Sequence, residues 1–409
     1  MALRRLGEMV QLLWRMISWA ILLLLWVSVF SVFWIKIVPR LTYIFASRAI
    51  ANDPPCITPE CDFSAFWPAG LLAREHDFAR IYDSVAFLAF QRHVLAPSAN
   101  LNAFFYPPTM LLPSMLISHL PFEPAFFVWV IAGAGIAATL LRWAGYSWLV
   151  IAAGLLSPAA LWNMELGQLG VVGGGLLLAG VMLSVRHKLP SGGLLGLLAF
   201  KPQIGVLVPF ALLAQGNWRA LVGFSTVCAV LLILTLICLG PSSWAAYHAL
   251  GSTHMLAVLN TPFDAHAYEG EGISVFWMVR SFGAGLSMAY VVQAVCGILA
   301  VLGVVYAWRR PSLTRETQMT LTIFLSLLAT PYGYGDDMVA WSWVLAARAE
   351  RRDWRIGLLD ALFWIWPMLC EVVAYRTGHL FTPLIVLLAV ARAVYESGNR
   401  RGADIIAAR

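Results

Sequence analysis

The chain alternates between long apolar runs and short charged clusters, a pattern typical of proteins with several membrane-spanning helices. The first apolar run, over residues 17–38, follows Arg4 and Arg5 and is too long for the apolar region of a signal peptide. We therefore interpret it as a first span with its N-terminus in the cytoplasm. Under the positive-inside rule, later clusters mark further cytoplasmic loops: Arg309–Arg310, Arg351–Arg352 and Arg400–Arg401.

One long polar stretch covers residues 39–102, and the orientation of the preceding span predicts that it is an outer loop. Within this loop, residues 63–73 and 81–95 have helical apolar spacing but are too short and too polar to cross a bilayer. We expect both segments to form amphipathic helices that lie at the membrane surface.

The remaining spans are constrained by the sides on which the charged residues must lie. Lys201 lies on the outer side of the membrane only if residues 192–200 and 203–214 form two half-length helices. These helices would meet at Lys201–Pro202 and line a cavity. Between residues 102 and 186, four apolar segments must make an odd number of crossings, so one fails to cross or two merge. The candidates are 104–118 and 147–162. The prediction is an all-α polytopic membrane protein with about twelve transmembrane helices and both termini cytoplasmic.

The composition agrees with a polytopic membrane protein and excludes several classes of function. Of the 409 residues, 60% are hydrophobic and 12% are charged, whereas soluble domains carry about 25% charged residues. The net charge of +6 lies in the loop clusters and gives no indication of a nucleic-acid partner. The sequence has no glycine-rich nucleotide loop, CxxC or HExxH, which argues against nucleotide-driven transport and familiar zinc chemistry. We divide the single integral membrane domain into a first span (1–39), an outer loop (40–103), a core (104–350) and C-terminal helices (351–409).

Asp62 and Lys201 are candidates for chemistry, because an ionisable side chain near membrane depth is costly and therefore usually functional. Asp62 precedes a predicted helix of the outer loop, where a carboxylate facing a cavity could act as a general base. The alternative is an ordinary helix N-cap. Lys201 stands among apolar residues beside the helix break at Pro202, a position suited to binding a phosphate. The alternative is a lysine that snorkels to the membrane interface.

Other polar residues are predicted near the same outer face. Glu165 and Gln168 could hydrogen-bond a sugar or each other. Asp336 and Asp337 could bind a metal ion, or could simply begin the following helix. Arg280 could bind a phosphate or pair with an acid of its own loop.

The predicted outer loops also contain histidines and cysteines, which are potential metal ligands and disulfide partners. His248, His254 and His266 share one outer loop but lack the spacing of metal ligands, so no metal site is predicted there. Cys56 and Cys61 lie just before Asp62, where a disulfide could form in an oxidising compartment.

A set of motifs in the range of about residues 60–345 resembles glycosyltransferase family 87, in the order that this family shows. These motifs are Asp62-Phe63-Ser64-Ala65-Phe66-Trp67-Pro68-Ala69-Gly70, Ile81-Tyr82-Asp83, Phe105-Tyr106-Pro107-Pro108, Leu120-Pro121 with Trp129, Gly167-Gln168, Lys201-Pro202-Gln203, Ser274-Val275-Phe276 with Arg280, and Ala329-Thr330-Pro331-Tyr332 with Asp337.

The resemblance implies a GT-C fold with the active site at the outer face of the inner (plasma) membrane. It also implies a sugar donor linked to polyprenyl phosphate. We expect a lipid or glycan acceptor, and we predict no metal or other cofactor because a monophosphate leaving group needs none in principle. An acidic residue of the first outer loop serves these relatives as base, and Asp62 matches its position. Some relatives carry a histidine where this chain has Asp336–Asp337.

From the residues and the resemblance together, we expect Lys201 and Arg280 to bind the donor phosphate. We expect the sugar or the acceptor to contact Glu165, Gln168, Tyr106 and Asp337. Mannose is the sugar that the characterised relatives suggest.

Two other functions compete with this prediction. A flippase or exporter of lipids or sugars would usually show internal repeats and a site near the bilayer midplane. The sequence shows no convincing repeat, and its polar candidates gather at one face, which favours an enzyme. A polysaccharide polymerase or ligase would usually need a larger outer loop than residues 240–272 provide.

Overall fold

The computed structural model describes residues 62–95, 97 and 99–407 and scattered positions between 9 and 27, with side chains to residue 398. This part of the chain is helical, with one isolated β-bridge between Gly272 and Tyr334 and no strand. The predicted Cys56–Cys61 disulfide and most of the predicted first span over 17–38 lie outside the described residues.

The helices are numbered here in chain order. The first group is α1 (Phe63–Arg74), α2 (Phe78–Tyr82), α3 (Ser84–Val94), α4 (Leu111–Ile117), α5 (Phe122–Trp143), α6 (Trp148–Leu155), α7 (Pro158–Leu166), α8 (Gly170–Leu183), α9 (Lys188–Gly196) and α10 (Val208–Ala214). The second group is α11 (Trp218–Cys238), α12 (Pro241–Ala246), α13 (Ser252–Asn260), α14 (Val275–Ser281), α15 (Leu286–Arg309), α16 (Arg315–Ala329), α17 (Val339–Glu350), α18 (Leu358–Thr377) and α19 (Thr382–Ala407).

Within the described residues, four helices are long and apolar enough to cross a membrane: α5, α11, α15 and α18. A fifth span results if α6 and α7, which meet at 58°, are counted together. The chain is therefore a multi-pass membrane protein, but the predicted number of twelve spans is not confirmed. Helices such as α8, with 14 residues, rise about 21 Å, which is less than the bilayer core of about 30 Å.

The two segments that the sequence singled out as poor spans are indeed short or bent. Residues 104–118 form a 3₁₀ turn over Pro108–Met110 followed by the seven-residue α4. Residues 147–162 form α6 and the first part of α7, with the bend between them. Ser157 accepts a hydrogen bond from Ala160 N and Pro158 occupies the first position of α7, so a new helix starts at this point.

The break at Lys201 is confirmed, although the second half-helix is shorter than expected. The first half ends in a 3₁₀ turn over Leu197–Phe200. Lys201 then takes φ −138° and ψ 74°, because the ring of a proline disfavours helical backbone at the residue before it. The chain turns through residues 202–207, and α10 begins only at Val208.

The helix that follows Asp62 is present, but it is packed within the protein and lacks the polar exposed face expected of an amphipathic helix. Phe63 and Phe66 of α1 are fully buried, because apolar residues occupy almost every side of this helix. Gly70 brings α1 against α4, since a Cβ atom at this position would overlap the carbonyl oxygen of Ser114. In contrast, α3 exposes part of its surface, including Val85.

This close approach generates a stability prediction. Gly70→Ala should lower the free energy of unfolding by about 1–3 kcal/mol, because the added methyl group forces α1 away from α4. Thermal unfolding in detergent, followed by tryptophan fluorescence, measures the change. Gly135→Ala in α5 is the matched control, because its Cβ would meet no atom within 4 Å. If both variants unfold like the parent protein, the α1–α4 contact is not as tight as described.

Candidate active site

Several of the residues selected from the sequence meet at one cavity of about 110 Å³. Asp62, Tyr106, Gln168 and Lys201 line it, and Asp337 is bonded to Lys201 without belonging to the cavity wall. These residues come from five separate segments of the chain, so the fold assembles the cluster.

Gln168 is the centre of the cluster. Its Nε2 donates a hydrogen bond to Asp62 Oδ2. Its Oε1 accepts hydrogen bonds from Tyr106 Oη at 2.8 Å and from Lys201 Nζ at 3.3 Å. An ammonium group only donates and a carboxylate only accepts, so the amide has one orientation that satisfies both neighbours.

The backbone before Gln168 explains how it reaches this position. Gly167 ends α7 in the left-handed conformation, with φ 71° and ψ 25°, which glycine adopts at little cost. A Cβ atom here would lie 2.6 Å from Phe63 Cβ. Glycine therefore allows the end of α7 to approach the start of α1, where Asp62 lies.

Asp62 is not used as a helix cap, so the N-cap interpretation is wrong. The residue precedes α1, but its side chain makes no capping hydrogen bond. Instead, its carboxylate accepts from Gln168 and from Asn102 Nδ2, the latter at 3.2 Å. Loss of solvent around this carboxyl group raises its pKa, while the hydrogen bonds from Gln168 and Asn102 act in the opposite direction.

Lys201 and Asp337 form a buried ion pair. Their Nζ and Oδ1 atoms are 2.5 Å apart, and each side chain is only 4% exposed. The lysine therefore does not snorkel to the interface. Pairing with Asp337 and the bond to Gln168 satisfy a charge that would be costly if it were buried alone.

The neighbouring Asp336 is also buried and turns toward another helix. Its Oδ2 accepts from Asn163 Nδ2 at 3.1 Å. Burial raises the pKa of Asp336, and the charge of Asp337 adds to this effect. Among the described residues, no group of three or more His, Cys, Asp and Glu side chains is placed to hold a metal ion.

An apolar groove of about 440 Å³ adjoins the polar cavity. Gln168 belongs to the walls of both, so the two spaces meet at this side chain. The groove is lined by apolar side chains of α5 and α8, together with Phe200 at the helix break. A long apolar chain in the groove would thus lead directly to the charged cluster.

A family model described as glycosyltransferase family 87 matches residues 104–331, more than half of the chain. The chain belongs to glycosyltransferase family 87. It is accordingly a membrane glycosyltransferase, as the sequence motifs predicted. Searches of curated proteins and of solved structures gave no match. The matched range includes Tyr106, Gln168 and Lys201, whereas Asp62 and Asp337 flank it.

Besides Asp337, two residues selected from the sequence do not line the cavity of this glycosyltransferase. Arg280 lies on α14 and donates to the carbonyl oxygens of Thr261 and Ala284, at 2.8 and 3.4 Å. Within the described residues, Arg280 thus bonds to backbone carbonyls and forms no ion pair with an acid of its loop. Glu165 is buried in α7 and is also absent from the cavity wall.

The transferase also has polar residues in the site that the sequence did not single out. Asn102 donates a hydrogen bond to the carboxylate of Asp62, and Asn163 donates one to the carboxylate of Asp336. Further tyrosines join Tyr106 in the cavity wall, and the set is Tyr247, Tyr268, Tyr332 and Tyr334. Tyr332 belongs to a motif that was recognised, and Tyr334 follows it two residues later, but nothing in the local pattern distinguishes Tyr247 or Tyr268.

The buried ion pair generates a prediction for stability. Lys201→Met should lower the free energy of unfolding by about 3–5 kcal/mol, because it leaves the charge of Asp337 buried without its partner. The double variant Lys201→Met/Asp337→Leu should recover most of this loss. Thermal unfolding in detergent checks both.

The exposed pair Arg351–Glu316 provides the control. Arg351→Met should cost less than about 1 kcal/mol, as expected for a partly solvated pair. Equal losses from Lys201→Met and Arg351→Met would contradict the assignment of a buried charge pair.

Proposed function

We propose that this glycosyltransferase moves a hexose from a polyprenyl-phosphate donor to a hydroxyl group of a lipid or glycan acceptor. Asp62 acts as the general base, and the anomeric configuration is inverted. The observation that carries the proposal is the position of Gln168. One side chain connects the carboxylate of Asp62 to the ammonium of Lys201 at the boundary between a polar cavity and an apolar groove.

The two spaces match the two parts of such a donor. The groove offers an apolar surface to the polyprenyl chain, and the cavity offers charged and hydroxyl groups to the phosphate and the sugar. Lys201 is the cation at this cavity, and a lysine ammonium is a suitable partner for a phosphate oxygen. Since Arg280 binds backbone carbonyls elsewhere, the proposal assigns the phosphate to Lys201 alone.

The reaction is a single displacement. Asp62 takes the proton of the acceptor hydroxyl while that oxygen attacks the anomeric carbon. The bond between this carbon and the phosphate oxygen breaks, and polyprenyl phosphate leaves with the bonding electrons. Lys201 stabilises the negative charge that develops on the leaving group. A monophosphate leaving group can depart without a metal ion, so we propose that transfer is metal-independent.

The sugar itself would be held by the remaining polar atoms of the site. Within the described residues, Asp337 Oδ2 is buried and has no hydrogen-bond partner, so it is able to accept from a sugar hydroxyl. The tyrosines of the cavity wall combine an aromatic face with a hydroxyl group, which suits the apolar and polar surfaces of a pyranose ring.

We further propose a GT-C arrangement with the cavity at the outer face of the inner (plasma) membrane and both termini in the cytoplasm. The arginines near the junction of α15 and α16 favour a cytoplasmic position under the positive-inside rule. The turn that contains Asp337 follows the other end of α16, and this order along the chain supports an outer position for the turn if α16 crosses the membrane.

The role of Asp62 predicts a loss of transfer in Asp62→Asn. Asparagine keeps the shape of the side chain but cannot take a proton, so the rate should fall by about 10²–10⁴-fold. The assay measures transfer of a radiolabelled hexose from polyprenyl phosphate to host lipid extract in proteoliposomes, with and without chelator.

Unchanged thermal unfolding and donor binding would show that Asp62→Asn remains folded. Full transfer activity in this variant would rule out the proposed base. Appearance of intact donor in the opposite leaflet, with no transfer by the parent protein, would favour a flippase instead.

The hydrogen bond from Gln168 predicts a shift in the pH profile. Activity should fall as the pH drops through the raised pKa of Asp62, because the protonated carboxyl cannot act as a base. Gln168→Met removes a bond that lowers this pKa, so the acidic limb of the profile should move to higher pH.

Gln203→Met is the matched control, because Gln203 lines the same cavity without bonding to Asp62. Its acidic limb should coincide with that of the parent protein. Identical pH profiles for Gln168→Met and the parent enzyme would show that Gln168 does not set the pKa of the base.

A further inference from the structure

A second apolar groove lies between α15, α16 and α19, with a volume of about 720 Å³. Its wall shares no residue with the cavity at Asp62 or with the groove at Gln168. Along α15, its lining residues recur three or four positions apart from Val292 to Arg310, which is one face of a helix and its end. This face is about 27 Å long, most of the thickness of a bilayer core.

One end of this groove is cationic. Arg310 Nε donates to Ser312 Oγ at 2.8 Å, and the guanidinium lies 5.1 Å from the ring centre of Tyr306. Among the described residues, no hydrogen bond or ion pair engages the two terminal nitrogens of Arg310. Arg309 and Arg315 add positive charge close by in the sequence. The groove therefore combines an apolar wall with a guanidinium whose terminal donors have no partner among the described side chains.

This cationic end is far from the candidate active site. Helix α16 begins at Arg315 and ends at Ala329, directly before the turn that carries Asp337. Its 15 residues span about 22 Å. The phosphate bound near Lys201 and the anion attracted by Arg310 would thus lie at opposite ends of α16.

We propose that the groove binds an acyl chain of an anionic phospholipid whose phosphate is held by Arg310. The apolar wall packs against the acyl chain of the lipid. The guanidinium can donate two parallel hydrogen bonds to the phosphate oxygens. The positive charge of Arg309, Arg310 and Arg315 selects a lipid with net negative charge over a zwitterionic lipid. Tyr306 completes the site as an aromatic residue at the level of the headgroup.

The test compares lipid binding to delipidated full-length protein by native mass spectrometry. Phosphatidylglycerol and phosphatidylcholine with identical acyl chains are titrated separately. We expect one phosphatidylglycerol molecule to bind at least about tenfold more tightly than phosphatidylcholine, because both lipids offer a phosphate but only phosphatidylglycerol has a net negative charge opposite the arginines. Arg310→Gln should reduce this preference. Arg219→Gln, an exposed arginine outside the groove, should retain it.

A second variant tests the groove by filling it. Gly398 lines the groove, and a Cβ atom at this position would meet nothing within 4 Å. It follows Ser397, whose Oγ accepts from Thr314 N, so it lies near the cationic end. Gly398→Trp should weaken the binding of both lipids without changing thermal unfolding.

Three results would overturn the proposal. The first is equal binding of the two lipids by the parent protein. The second is unchanged phosphatidylglycerol binding in both Arg310→Gln and Gly398→Trp. The third is displacement of phosphatidylglycerol by polyprenyl phosphate with the same dependence on Arg310, which would assign the groove to the donor.

Discussion

The ion pair between Lys201 and Asp337 is the interaction on which the candidate site depends. A lysine with a side chain that is 4% exposed requires a counter-charge, because a single buried charge costs several kcal/mol. Meeting that requirement joins two segments far apart in the chain, the break after α9 and the turn before α17. Lys201 also donates to Gln168, so the same charge fixes the amide that binds Asp62.

Close backbone packing is the second requirement, and glycine provides it at the relevant positions. Gly167 allows α7 to end against Phe63, and Gly70 allows α1 to lie against α4. Membrane helices have no strong hydrophobic drive toward each other, so small residues contribute by allowing close contact. Asp62 and the amide of Gln168 are thus adjacent because two helices meet without an intervening side chain at Gly167.

The sequence predicted those features that depend on local chemistry. Pro202 determines the helix break, and an ionisable residue among apolar neighbours marks Lys201 as exceptional. The burial of α1 could not be predicted in this way, because apolar periodicity does not distinguish a face against lipid from a face against protein. The contact of Asn102 with Asp62 and the backbone bonds of Arg280 depend on tertiary arrangement, which no single segment encodes.

The charges of the site also constrain how it holds a donor. Three carboxyl groups, Asp62, Asp336 and Asp337, surround the cation Lys201, and ionisation of all three would leave an excess of buried negative charge. The raised pKa of Asp336 relieves this excess, because a protonated carboxyl can be buried at lower cost. A phosphate at Lys201 would compete with Asp337 for the same ammonium. In the proposed mechanism, the charge of a departing phosphate would therefore be stabilised most when Asp336 is neutral and Lys201 is shared between the phosphate and Asp337.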